Sequence, residues 1–171
     1  MKRVCIDTHA LVWHLSKPRR LGKSAARLLR DADRGRVSVL VPAIVGIELA
    51  LLRGAGRKTV GVPQLEARVA AQPAFTVLPL DLVQTKEFAL LETLHDPFDR
   101  MIVAAARVAG TPLITADMGI RESALVEVRA LRVARRAGGR ARRRREARAV
   151  AATGAAGLRR NRRAVTRRAA S

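Results

Sequence analysis

Short apolar runs alternate with segments of helical periodicity throughout residues 1–128, and this alternation limits the fold more than any other feature of the chain. Residues 3–6 (Arg-Val-Cys-Ile), 37–41 (Val-Ser-Val-Leu-Val), 75–78 and 113–115 read as strands, with a last one at 126–128. Between them, residues 8–15 put Leu11, Val12 and Leu15 on one helical face. Ser24 can cap a helix that runs to Asp33 with Leu28 and Leu29 facing inward. Pro42 suits a first helical turn, and Ile44, Ile47 and Leu51 share a face through Leu52. Gly54, Gly56 and Gly61 mark a loop. Further helices are expected at 63–71, at 81–94, from Asp96-Pro97 to Ala109 with Gly110 as the stop, and as a short turn at 118–124. Strands alternating with helices make βαβ units, hence a parallel sheet covered on both faces: a three-layer α/β/α domain. In such sheets, sites form beyond the carboxyl ends of the strands. That places weight on Asp7, directly after the first strand, and on Asp117, two residues past Thr115.

Composition removes several classes of function. Aromatic residues are 2% of the chain, which argues against an aromatic base-stacking surface. A single cysteine, Cys5, excludes an internal disulfide framework and a cysteine-rich zinc site, and it fits a reducing cytoplasm. No apolar run approaches the ~20 residues that cross a bilayer, and the N-terminus lacks a signal-peptide layout, so no membrane partner is expected. There is no Gly-x-x-x-x-Gly-Lys-Ser/Thr phosphate loop, which argues against an NTPase.

The formal net charge of +20 divides unevenly. Residues 1–128 carry 18 Lys and Arg against 13 Asp and Glu, whereas residues 129–171 carry 16 against 1. In residues 132–171, Arg, Ala and Gly fill 31 of 40 positions, and only Val133, Val150, Leu158 and Val165 are aliphatic beyond Ala. That is too little apolar surface for a core, so the chain reads as a domain at 1–130 followed by a basic, disordered tail at 131–171, with some helix conceivable at 141–152. Arg142-Arg-Arg-Arg145 suggests a nucleic-acid-binding arm. The alternative is an extension without selected function, including the product of a shifted reading frame, since Arg, Ala and Gly share GC-rich codons.

Each acid of the body has a plain structural role available to it. Asp7 can cap the helix that follows, Asp96 can cap the next with Pro97 at its first position, and Asp99 then sits where a carboxylate favours the helix dipole. Asp117 can cap the short turn after it. Glu48, set among Ile44, Val45, Ile47, Leu49, Leu51 and Leu52, lies either on a narrow solvent stripe or against something positive. Together they say more. Two acids follow strands and two lie on helices beside the sheet, so they can converge at one pocket. Carboxylates so close repel unless a cation lies among them. An oxygen-only donor set suits Mg2+ or Mn2+, and such sites commonly serve phosphate chemistry.

Met1-Lys-Arg-Val-Cys-Ile-Asp-Thr-His-Ala-Leu-Val-Trp13, Glu48-Leu-Ala-Leu-Leu52, His95-Asp-Pro-Phe-Asp-Arg100 and Leu113-Ile-Thr-Ala-Asp117 resemble the PIN domain, and more narrowly the VapC ribonuclease toxins of type II toxin–antitoxin modules. The resemblance covers residues 2–128. It implies a PIN-type fold with a central parallel sheet and a Mg2+-dependent endoribonuclease, with Mn2+ as a possible substitute. Such an enzyme cleaves RNA phosphodiesters with metal-activated water, works as a homodimer and is silenced by a cognate antitoxin. Asp7, Glu48, Asp99 and Asp117 match the family's four acids, as both catalytic and metal residues, with Asp7 and Asp99 the most direct ligands. Asp96 is ambiguous between cap and metal neighbour. Thr8 and Thr115 lie beside acids and can orient them or metal-bound water, and Arg100 can contact phosphate or pair with an acid. Two other functions stay open: a nucleic-acid-binding protein that uses its basic tail on a catalytically silent body, and a PIN ribonuclease of RNA processing without an antitoxin. The chain departs from the family in Ala43-Ile-Val-Gly-Ile47, where Ser or Thr and an aromatic often precede the second acid, and in the tail.

Overall fold

Five parallel strands form one sheet. The computed structural model describes residues 1–130. The strands are β1 (Lys2–Ile6), β2 (Val37–Pro42), β3 (Phe75–Leu78), β4 (Leu113–Thr115) and β5 (Val128–Ala130). The helices are α1 (Thr8–Ser16), α2 (Lys23–Asp33), α3 (Ala43–Gly54), α4 (Val62–Ala71), α5 (Leu82–Leu90), α6 (Pro97–Val108) and α7 (Met118–Ser123), with a 3-10 turn at Pro18–Arg20. The chain steps outward from β1 to β2 and β3, then returns to the other side of β1 with β4 and β5. The strand order therefore reverses between β1 and β4, and the crevice at their carboxyl ends is where sheets of this kind bind ligands.

The central strands are buried on both faces, and their sequences are accordingly near-continuous apolar runs. Val4, Ile6, Val39, Val41, Leu113 and Ile114 are fully buried. Helix α6 contributes Ile102, Val103, Ala104, Ala105 and Ala106 to the same core, its alanines allowing close approach, and it packs against β1 and α3. Aspartates start four of the helices: Asp7, Asp81, Asp96 and Asp117 each accept a backbone N–H of the first turn. Gly110, at φ 59°, turns the chain out of α6 in the left-handed conformation that glycine adopts without steric cost. Cys5 is buried in β1, and that burial pushes its thiol up to about 12, so it stays protonated.

The sequence expectations hold for the order and type of the elements and shift at several ends. Ser24 lies inside α2, which begins at Lys23 behind Gly22. Gly54 closes α3 instead of opening a loop. Helix α5 stops at Leu90; Leu91 and Leu94 are buried in turns rather than helix, which satisfies their apolar character without the expected extension to residue 94. The last strand is Val128–Ala130, later than residues 126–128. Ala124 ends α7 with φ 54°, and Leu125 and Val126 then pack against the core from irregular backbone, with Arg107 donating to the Leu125 carbonyl at 2.8 Å. Pairing begins only where Val128 lies opposite Leu113. Among the described residues no helix is long and apolar enough to cross a membrane. The expectations of a disordered tail at 131–171 and of helix at 141–152 lie outside the described residues.

Candidate active site

The switch point of the sheet gathers the first-strand acid and its neighbours. Asp7 leaves β1 and caps α1, its Oδ1 accepting the Ala10 N–H at 2.6 Å, while its own N–H donates to the Ile114 carbonyl of β4 at 3.1 Å. The capping role is thus real, and it uses one oxygen. The other, Oδ2, accepts the hydroxyl of Thr115. Asp7 is 3% exposed, a depth at which a carboxylate must be well hydrogen-bonded to be tolerated. Thr115 is fully buried, and its Oγ1 also accepts the Asp117 N–H at 2.9 Å. A hydroxyl has one proton to give, so with its lone pair turned to Asp117 the proton goes to Asp7. Asp117 in turn caps α7, Oδ1 accepting the Ile120 N–H at 3.1 Å.

Glu48 comes to the same place from α3. The Thr8 hydroxyl, one residue beyond Asp7, donates to Glu48 Oε2 at 2.5 Å. Thr115 thus ties the Asp7 carboxylate to the Asp117 backbone amide, and Thr8, the next residue after Asp7, holds Glu48. Asp99 stands at the third position of α6, half-buried, on the helix that packs against β1 and α3. Asp96 behaves as a cap: its Oδ1 accepts the N–H groups of Phe98 at 2.9 Å and Asp99 at 3.2 Å.

Other predicted contributors lie elsewhere. Arg100 covers the Phe88 ring at 4.2 Å and donates to the Phe88 carbonyl at 3.0 Å, so its guanidinium packs on α5 rather than against an acid or an open phosphate site. Trp13 is half-buried against the core, with Arg20 over its ring at 5.7 Å and the His9 ring edge-on at 6.3 Å. His14 lies in a different cluster, with Arg68 and Phe75, and His95 is exposed. The pairing of each hydroxyl with its own acid was the part that sequence could not assign: Thr8 and Thr115 stood out as neighbours of acids, and their partners depend on tertiary placement. An apolar cavity of about 390 Å³ at the carboxyl ends of β2 and β3, lined by Pro42, Gly46, Leu65, Val69 and Val77, includes none of the four acids.

Residues 4–126 match the PIN domain family. This chain is a PIN-domain protein. Its PIN domain is 32% identical over 123 residues to Ribonuclease VapC22 of Mycobacterium tuberculosis, a match covering 71% of this chain and 92% of that protein. Among solved structures, VapBC2 from Rickettsia felis bound to a promoter DNA fragment superposes with a TM-score of 0.56 at 14% identity, covering 75% of this chain and 98% of that one. DNA-bound VapBC from Salmonella typhimurium gives 0.52 at 18% identity, covering 76% and 98%. FitAcB from Neisseria gonorrhoeae gives 0.52 at 23% identity, covering 73% and 95%. At these identities the structural likeness is one of fold.

The donor set of this PIN domain suits a hard divalent cation. Every predicted ligand is a carboxylate, and Asp7 and Glu48 are fixed by hydroxyl and amide donors that orient a carboxylate without cancelling its charge. Among the described residues no three His, Cys, Asp or Glu side chains form a ready-made metal-holding group.

Proposed function

We propose that this PIN-domain protein is a Mg2+-dependent endoribonuclease and the toxin of a type II toxin–antitoxin module. Asp7, Glu48, Asp99 and Asp117 are its catalytic and metal-holding residues, and Mn2+ can substitute. The observation that carries the reading is the junction of β1 and β4: buried Asp7 is held by Thr115, which also takes the Asp117 amide, beside the Thr8 that holds Glu48. The motif resemblance to VapC toxins and the 32% identity to Ribonuclease VapC22 support RNA as substrate and a cognate antitoxin as partner. The chain works in the cytoplasm as a homodimer, with the nuclease domain at 1–130 and the basic tail at 131–171.

When bound, a divalent cation supplies Lewis-acid polarisation of the scissile phosphate and lowers the pKa of adjacent water. The chain's own residues do the rest. Asp7 and Asp99 bind most directly, with Asp7 kept in place by its two hydrogen bonds. Glu48 and Asp117 would position a second cation or the attacking water, with attack in line with the leaving 3′ oxygen. An antitoxin segment carrying an arginine can silence the site by pairing with these carboxylates.

The test is cleavage of RNA by the purified chain, with and without EDTA, beside growth on expression with and without the product of any small gene directly upstream. Cleavage lost in EDTA, and growth arrest relieved by the upstream partner, are expected. Cleavage that survives EDTA would overturn the metal-dependent mechanism. Cleavage without arrest would move the protein to RNA processing. The excess of 16 basic over 1 acidic residue in 129–171 favours one further reading, nucleic-acid binding by the tail on a silent body. RNA bound but never cleaved in Mg2+ would select it.

A further inference from the structure

We infer that Thr8 is a positioning residue for Glu48, so that the two-residue unit Asp7-Thr8 sets two of the site's carboxylates from one turn of backbone; this rests on the metal-dependent reading above. A glutamate on a mostly apolar helix has three rotatable bonds and an easy route to water, and the next residue back, Ile47, is already 50% exposed. The observed carboxylate turns inward instead, to a hydroxyl 40 residues away in sequence and 2.5 Å away in space.

The donor is well placed to act as a fixed point. Thr8 is 2% exposed and is the first residue of α1. Its backbone is pinned on both sides: the preceding Asp7 donates its N–H to β4, and Asp7 Oδ1 holds the Ala10 amide. Threonine is β-branched, so its side chain is stiff about χ1. Whatever fixes Asp7 therefore also fixes Thr8 Oγ1, and through it Glu48 Oε2. The bond comes from a neutral hydroxyl, so what it contributes is the carboxylate's direction. Thr8 acts through Glu48 and not on substrate. The role also fits the local sequence. The helix leading to Glu48 offers Ala43-Ile-Val-Gly-Ile47, with no hydroxyl of its own, and the hydroxyl that Glu48 uses is supplied from β1's end instead.

The experiment compares Thr8→Val, which keeps shape and removes the hydroxyl, with Thr8→Ser, which keeps the hydroxyl, both in the full chain. Mn2+ binding is read by calorimetry without RNA, and kcat and KM on an RNA oligonucleotide are read separately. Thr8→Val should weaken Mn2+ binding and lower kcat by about 10-fold or more, the scale of losing a group that orients a metal ligand, with KM little changed. Thr8→Ser should restore both to within about 3-fold of wild type, a smaller loss on the same scale. In a Glu48→Gln background Thr8→Val should cost no further Mn2+ affinity, because the two act as one unit. Thermal unfolding monitors the fold; should Thr8→Val be unfolded at the assay temperature, Thr8→Ala against Thr8→Ser carries the same comparison. Wild-type Mn2+ affinity and kcat in Thr8→Val, or the same loss with and without Glu48, would overturn the inference while leaving the nuclease reading intact. A wild-type chain that neither binds Mn2+ nor cleaves RNA would overturn both.

Discussion

At the amino-terminal edge of the sheet, His14 of α1, Asp33 at the end of α2, Arg68 of α4 and Phe75 at the start of β3 meet in one polar knot; at the carboxyl-terminal edge, Asp7, Thr8, Glu48, Thr115 and Asp117 meet in another. The first is organised around a guanidinium. Arg68 Nη2 bonds Asp33 and lies 2.8 Å from His14 Nε2, and the guanidinium sits 4.4 Å over the Phe75 ring, on which the His14 ring also stacks at 5.6 Å. Gln72 adds a bond to the Asp33 carbonyl at 2.7 Å. The second is organised around hydroxyls and backbone amides that fix the direction of its carboxylates. Both knots tie several elements together. The first sets a guanidinium against a carboxylate, as a fastening needs, whereas the second lies at the place where the fold puts ligands.

The largest effect that can break this contrast is on cleavage. Asp7→Asn keeps the shape and the cap but removes charge, and it should lower RNA cleavage by about 100-fold or more, the scale of a lost charge-stabilising contact. Asp99→Asn should behave alike. Cleavage rates on a defined RNA in Mg2+ decide the point, and near-normal rates in either variant would make these acids structural. At the other edge the loss should be in stability. Arg68→Ala removes the ring contact, the ion pair and the bond to His14, and should cost about 2 kcal/mol in urea unfolding while the folded fraction cleaves normally. A large loss of cleavage per folded molecule would mean that the two knots are coupled.

How much of this was legible depends on the range of the interactions involved. Parallel βαβ order could be read because Val37–Val41 or Leu113–Thr115 are apolar on both faces whatever they pair with. The positions of Asp7 and Asp117 beyond the carboxyl ends of strands could be read, because one follows β1 directly and the other lies two residues past Thr115. The exact place of β5 could not, since Leu125 and Val126 are as apolar as Val128 and only the left-handed turn at Ala124 and the register against Leu113 distinguish them. Nor could the fate of Arg100, whose place beside Asp99 suggested an acid or a phosphate and whose choice of the Phe88 ring depends on how α5 packs against α6. The amino-edge knot was not legible at all: four residues from four elements, none in a motif.

A smaller effect separates the edges by pH. Burial, with Arg68 adding to it and Asp33 opposing, lowers the pKa of His14 below its ordinary 6.5. The folded chain then binds fewer protons at this group than the unfolded chain does, so its contribution to stability is present above about pH 6.5 and is lost as pH falls through and below that value. Urea midpoints at pH 7.5 and 5.5 should fall more for wild type than for His14→Gln, which has no such proton to take up. Equal falls would show that the knot does not distinguish the two forms of His14.

The smallest effect tests a residue that belongs to one edge by position and to the other by construction. Asp96 opens α6 three residues before Asp99, and that nearness in sequence invites a metal role. Its contacts are those of a cap, with one oxygen, Oδ1, taking both the Phe98 and the Asp99 amides. An asparagine carbonyl oxygen can accept the same two bonds, and asparagine and aspartate are about equal as caps, so Asp96→Asn gives up only the favourable charge at the helix N-terminus. Stability should change by about 0.5 kcal/mol or less, and cleavage should stay within about 3-fold of wild type. Asp96→Ala, which removes the acceptor itself, should cost about 1 kcal/mol. The pair of variants separates charge from hydrogen bonding. If Asp96→Asn lost cleavage as completely as Asp7→Asn while α6 stayed intact, charge rather than capping would be what the site needs from Asp96, and the acid knot would extend one residue further than its hydrogen bonds indicate.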